Sequence, residues 1–418
     1  MKSRILPLFL CLFLMFSAMA ALAQSKVPSV GSDEQTLQSA LQRLRKFKVP
    51  ENEKAVFVPE LVRQDLARAK SSLFHIIVNT LNAQELNLPD KQLTVFVIGA
   101  LKVKGIAVLK GEEECEGVYG CILSVELKHP AERNDVLMLT TALQIPFGDD
   151  GSFYVLEKIS GKWQAALIYE AKLYKQIDGA HGSLQSAFFL PAAEQPWSIA
   201  LTHYSPEPTS VWQRLTMIVL GKGSAPTTPR REYIVSDSIY VGEDASIRTD
   251  NSGFTIHYTT DSLVDSESGI RVNILHLQRI DSVWVRTAPY ADNAEGFVDE
   301  WMRLKWDDAV NLSDHTNLTA LQAWHHMLLQ PSKGISFSLN DSYECGTGTG
   351  IWRIAIDVDL DDGIKTVLPP TVYFKLMISK TDQRVLEISA VAFNECPQTK
   401  VAHSPGNEPH TDGYALLH

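Results

Sequence analysis

The sequence is short of cysteine (5 in 418 residues) and of positive charge, with 38 Lys and Arg against 49 Asp and Glu for a net charge of −11. It also lacks any apolar run of spanning length after its first two dozen residues. Each shortage excludes something. A negative chain repels a phosphate backbone, so nucleic acid is not expected as a partner. The nearest basic stripe, Arg43, Arg45, Lys46 and Lys48, closes an N-terminal helix, where cations suit the negative end of the macrodipole. There is no P-loop, no H-E-x-x-H, no G-x-S-x-G elbow and no C-x-x-C. The run Gly346-Thr347-Gly348-Thr349-Gly350 places Ile351 where a dinucleotide fingerprint needs its third glycine. No cofactor and no metal are therefore expected. Ordinary hydrophobic content (45%) excludes collagen-like, coiled-coil and wholly disordered chains.

What is present begins with an export signal. Lys2 and Arg4 precede an apolar run from Ile5 to Phe16, and Ala21-Leu22-Ala23 has the small residues of a cleavage site. Residues 1–23 are expected as a signal peptide and Gln24 as the mature terminus. The product is an exported protein, periplasmic or extracellular, with no membrane attachment after cleavage. The mature chain keeps four cysteines, Cys115, Cys121, Cys345 and Cys396, and an even count in an exported protein reads as disulfides. Three pairings are open to them. The local pairs Cys115–Cys121 and Cys345–Cys396 are favoured.

The coarse pattern is α+β and dominated by β: N-terminal helices followed by antiparallel segments, a β-rich middle, then a helix pair and a four-stranded antiparallel sheet. Residues 24–147 are expected as an α+β domain. A helix opens at Ser32, with Gln35 in the capping-box position, and carries Leu37, Leu41 and Leu44 on one face. A second runs from about Pro59 to Asn82. Leu93–Gly99, Leu101–Leu109, Cys121–Leu127 and Val136–Ile145 read as strands. Residues 148–290 are expected as a β-rich domain with a linker or long exposed loop at 221–230, where glycine, serine and proline cluster. Two segments echo each other there, Leu156 to Trp163 and Leu277 to Trp284, each with a cation, an Ile and a Trp around a polar turn. Residues 296–398 read as helices Phe297–Lys305 and Leu318–Leu329, then strands Ile335–Leu339, Ile351–Leu360, Val372–Ser379 and Val385–Phe393. In element order, with no shared motif, this segment resembles the cone-shaped domains related to nuclear transport factor. A simple meander would set Cys345 and Cys396 at opposite strand ends. Residues 399–418 read as a disordered tail.

Candidate chemistry concentrates in the last segment. Asp307, Asp308, His315 and His325 are the candidates for acid–base catalysis, and Trp301, Trp306 and Trp324 for ligand stacking. On a helix, adjacent residues point about 100° apart, so His325 and His326 do not grip one metal. Asp357, Asp359, Asp361 and Asp362 lack the glycine and glutamate of a calcium loop and fit the solvated face of a strand. Glu112, Glu113, Glu114 and Glu116 form an acidic hairpin tip, and Asn311, Asn317 and Asn340 begin sequons. The primary expectation is a non-enzymatic binding or scaffolding protein of a bacterial envelope or extracellular space, its partner a protein or a small molecule. The alternatives are a hydrolase or lyase built on His and Asp of the last segment, and a carbohydrate binder that stacks sugars on Trp.

Overall fold

The computed structural model describes residues 30–47, 57–83, 87–106, 117–131, 133–191, 196–206, 211–265, 270–329 and 334–396. The expected signal peptide, Lys48, the acidic tip, Cys115 and the tail lie outside the described residues. Among the described residues, no helix is long and apolar enough to cross a membrane. The contacts divide the chain into two units. One holds Met1–Pro146, Val155–Ala165 and Lys172–Gln176; the other holds Phe147–Tyr154, Ala166–Ala171 and Ile177–His418. Most of the segment expected as the middle domain is thus grouped with the last one, while Val155–Ala165 and Lys172–Gln176 fall in the other unit.

In the first unit, helices α1 (Val30–Lys46) and α2 (Glu60–Asn82) pack through Leu37, Leu41 and Leu44 against the stripe Val62, Leu66, Ala69, Leu73 and Ile76. Arg43 grips buried Asp65 with two hydrogen bonds of 2.7 Å, and Arg45 donates to the Gly120 carbonyl at 2.9 Å. These cations are structural ties. Residues expected as two strands instead form α3 (Asp90–Val103), with Leu93, Val97 and Leu101 buried. Its β-branched run favours a strand locally, but the four-residue recurrence of those three residues seats one helical face. Thr94 of α3 accepts a hydrogen bond from the Leu127 N–H at 3.0 Å, tying the helix to strand β1 (Leu123–Lys128). Strands β1, β2 (Val136–Ile145), β3 (Gly148–Ile159) and β4 (Lys162–Glu170) form a sheet in that order, the first half of β3 and the second half of β4 being grouped with the second unit.

The second unit opens on two antiparallel sheets that share a core. One runs β5-β6-β7-β8: Leu184–Phe189, Ser198–Tyr204, Trp212–Ala225 and Thr228–Tyr240. Strands β9 (Ser246–Thr249), β10 (Gly253–Asp261), β12 (Ile270–Ile280) and β13 (Val283–Thr287) make the other, in the order β13-β12-β10-β9; β11 is the short Val264–Asp265. Phe189, Leu215, Met217 and Ile239 of the first sheet meet Phe254, Leu275, Leu277 and Trp284 of the second. The expected linker at 221–230 is not a loose segment. It is the tip of the long β7–β8 hairpin, whose register shifts between Gly221 and Ala225. Such shifts absorb the small and rigid residues that made the stretch read as a loop.

The C-terminal part places α4 (Ala294–Arg303), the short α5 (Trp306–Ala309) and α6 (Leu318–Leu328) against a sheet in the order β11-β14-β15-β16-β17. Its antiparallel members are Ile335–Glu344, Ile351–Leu360, Thr371–Ile378 and Gln383–Ser389, and β11 adds a two-residue parallel pairing to β14. Phe297, Val298, Trp301 and Leu321 fill the space over Ile354, Ile356, Phe374 and Leu376. Asn293 caps α4 by accepting from the Gly296 N–H at 2.7 Å. Cys345 and Cys396 are bonded, with Cα atoms 4.9 Å apart. The meander and the pairing coexist because the residues after β17 double back, with Phe393 lying under the Lys375 ammonium of β16. Seven residues reach about 23 Å, the length of a strand such as β17.

Candidate functional site

Strand β12 places Arg271 and Asn273 on the face that Leu275 and Leu277 carry into the core, so the sequence drives a cation inward. The inward cation is met by α4. Arg271 contacts Asp299 and Glu300 at 2.7 Å each, and these acids are 1% and 4% exposed. Arg303 bonds Asp299 at 2.7 Å and reaches Asp261 at 3.1 Å, and Arg286 of β13 also bonds Glu300. Three cations and three acids alternate in one chain, so the buried charge cancels. Burial alone would raise the Glu300 carboxyl, but the guanidiniums of Arg286 and Arg271 outweigh it and hold it below the usual range. Asp299 further accepts from Ser262 Oγ at 2.9 Å and the Val264 N–H at 3.0 Å, fixing the turn before β11.

Arg286, at the end of this chain of charges, also borders a cleft of about 640 Å³. Tyr233 and Val235 of β8 form one wall, and Trp284, Val285 and Arg286 of β13 another. Tyr290 and, from the helical segment, Leu304, Asp308, Asn311 and Leu312 complete it. The Arg286 guanidinium lies 5.3 Å over the Tyr290 ring and donates to the Ile274 carbonyl at 3.1 Å. Trp284 is anchored by its indole N–H on Glu232 at 2.7 Å, with Phe254 4.9 Å and Phe189 5.3 Å away, ring centre to ring centre. Burial pushes the hydroxyls of Tyr233 and Tyr290 up, so both stay protonated at neutral pH. Asp308, by contrast, is exposed.

Of the candidates from the sequence, His325, Trp301, Trp306 and Trp324 gather in one core, and the acids and His315 do not join them. His325 is 1% exposed and sits between Trp301, 4.7 Å away edge-on, and Trp306 at 5.4 Å. Burial lowers its pKa. Trp301 has no exposed face, and its N–H donates to Ser313 Oγ at 2.9 Å. Trp306 and Trp324 are half-buried against the same core. Asp307 and His315 are exposed, and of the four acid–base candidates only Asp308 borders the cleft. The strand acids are engaged locally: Asp357 accepts from Asn340 and Thr371, and Asp359 from Ser338. Among the described residues, no group of three or more His, Cys, Asp or Glu is placed to hold a metal. Tyr233, Trp284, Arg286 and Tyr290 were missed by sequence reasoning. Their available signal was a cation on the inward face of a strand, at Arg286 beside Trp284 and again at Arg271.

No family model matches the chain, and no curated protein matches it in sequence.

Proposed function

We propose that the protein is an exported, non-enzymatic binding protein whose ligand occupies the cleft between β8, β13 and the helical segment. Export rests on the N-terminal leader pattern and agrees with the Cys345–Cys396 disulfide, a bond that persists in oxidising compartments such as the periplasm or the extracellular space. The observation that carries the binding reading is the set of side chains that line the cleft. Arg286 is paired with Glu300, and burial raises both tyrosine hydroxyls, so Asp308 is the one acidic side chain among the described residues that line the cleft. A paired acid and base, the usual general acid–base arrangement, is not offered by the described residues lining the cleft. The aromatic walls and the volume suit a ligand of drug or short-peptide size.

The test is a thermal-shift screen of the disulfide-intact mature chain against free amino acids, short peptides and oligosaccharides, with hits weighed by calorimetry. Binding should be weakened about tenfold or more by Asn311→Arg, which narrows the rim from an exposed position. Recovered ligand should be chemically unchanged by mass spectrometry. Turnover of a hit, or hits indifferent to the rim substitution, would overturn the reading.

A further inference from the structure

Strand β13 is the outer strand of its sheet, paired only with β12 among the described residues. Its register decides what that edge offers. The two strands are joined by Asp281 and Ser282, with φ of 47° and 70°, the geometry of a two-residue hairpin turn. The pair flanking such a turn, Ile280 and Val283, exchanges hydrogen bonds, and bonded pairs then recur every second residue at Gln278/Val285 and His276/Thr287. Trp284 and Arg286 therefore aim their N–H and C=O groups off the sheet. An independent bond confirms the parity: the N–H of Arg279, the residue opposite Trp284, turns away from β13 and donates to the Ser252 carbonyl at 3.1 Å.

The edge faces the cleft. Trp284, Val285 and Arg286 all line it, although successive side chains of a strand point to opposite faces. Three consecutive residues border one space only along a strand's edge. Strand β8 instead contributes Tyr233 and Val235, two residues of one face. The cleft thus combines an open row of main-chain donors and acceptors with an aromatic and aliphatic floor. At its rim stands Asp308, which has no ion-pair partner among the described residues, and the whole chain carries −11.

We propose that the cleft receives an extended, basic peptide segment of a partner protein, which adds to β13 as a fifth strand. This rests on the binding reading above and names the class of ligand. The main chains of Trp284 and Arg286 bond the peptide backbone, alternate peptide side chains lie on Tyr233 and Val235, and a lysine or arginine reaches Asp308. Main-chain pairing supplies affinity and the pockets for alternate side chains supply specificity, as in other cases of strand addition. A small molecule would leave the open edge unanswered. A second copy of this chain would bring more negative charge to a negative rim.

The probe is a random heptapeptide display library panned on the disulfide-intact full chain. Enriched peptides should carry Lys or Arg and bind about tenfold more weakly to Asp308→Lys, an exposed substitution that leaves the core intact. N-methylation along an enriched peptide should abolish binding at alternate positions only, because only alternate amides face the strand. Hydrogen exchange at the Trp284 and Arg286 amides should slow on binding while that of Val285 stays as it was. The proposal is overturned if no peptide is enriched, if N-methylation shows no two-residue period, or if those amides are unaffected. It is equally overturned if they are protected by self-association in a concentration-dependent dimer. Should an oligosaccharide or amino acid bind in the cleft where peptides do not, peptide addition fails and the binding reading stands. If no probe senses Asn311→Arg or Asp308→Lys, both fail together.

Discussion

Glu300 holds two guanidiniums at once, one on β12 and one on β13, from a position 4% exposed on α4. Its carboxylate is the joint between the sandwich edge and the helical segment of the second unit. Glu300→Gln keeps the shape and removes the charge, leaving Arg271 with Asp299 alone and Arg286 with no acid at hydrogen-bond distance among the described residues. Breaking a buried pair by removing one partner costs about 3–5 kcal/mol, so that loss is expected in urea unfolding of the second unit. Asp307→Asn, at an exposed position, should fall within about 0.5 kcal/mol of the parent. A loss below about 1 kcal/mol for Glu300→Gln would show that the network is solvated and contributes little. The sequence displayed most prominently residues that do not line the cleft, Asp308 excepted. Asp307, His315, His325 and the nearby tryptophans are dense along the chain, but in space His325 and the tryptophans gather in a core while Asp307 and His315 stay exposed. The residues that do converge come from strands about fifty positions apart, and only their inward-pointing charges hinted at a partner.

At the scale of elements, local patterns were legible wherever one period dominated. Helices α1, α2, α4 and α6 and most strands stand where periodicity put them, whereas α3 was hidden by its β-branched content. The echo between Leu156–Trp163 and Leu277–Trp284 is one of hairpin chemistry. Both segments turn on two residues of positive φ, Ser160 and Gly161 in one, Asp281 and Ser282 in the other. In each, a cation lies 5.9 Å from the indole, Lys158 over Trp163 and Arg279 over Trp284. A non-glycine residue in the left-handed region costs about 1–2 kcal/mol, part of which Ser282→Gly recovers. That substitution should raise stability by about 0.5–1 kcal/mol, and a variant less stable than the parent would disprove the turn geometry. The Cys345–Cys396 bond closes a separation of 51 residues. Its removal in a Cys345→Ser, Cys396→Ser double variant should lower stability by about 4 kcal/mol through unfolded-chain entropy. If the double variant unfolds at the same denaturant concentration as the parent, the doubling-back after β17 is held by packing alone.

For the molecule as a whole, acid should act first through histidine. His203 is 5% exposed, shares a hydrogen bond of 2.9 Å between its Nε2 and the Tyr169 hydroxyl, and lies 4.4 Å from the His181 ring. Burial, with a smaller contribution from Arg214, lowers its pKa to about 4. An unfolded histidine titrates near about 6.5, so below that pH the unfolded chain binds a proton that the folded chain refuses. Stability is therefore complete above pH of about 6.5 and falls as acid is added, by about 2 kcal/mol at pH 5 and about 3 at pH 4 from this residue alone. His257 and His325, also lowered by burial, act in the same direction. Carboxylates held low, such as Glu300 and Asp261, contribute stability that is lost only as pH falls below their unfolded range near about 4. Asp149 and Asp292, raised by burial, work the opposite way and soften the decline. The melting temperature should thus drop between pH 7 and pH 5, before any carboxylate is neutralised in the unfolded chain. His203→Gln, which keeps a hydrogen-bonding partner for Tyr169 but cannot titrate, should shrink that drop to the part owed to His257 and His325, while Glu300→Gln leaves its slope intact. A profile level from pH 7 to 5, or one whose slope is undiminished by His203→Gln, would mean that the ring takes up its proton without leaving the core.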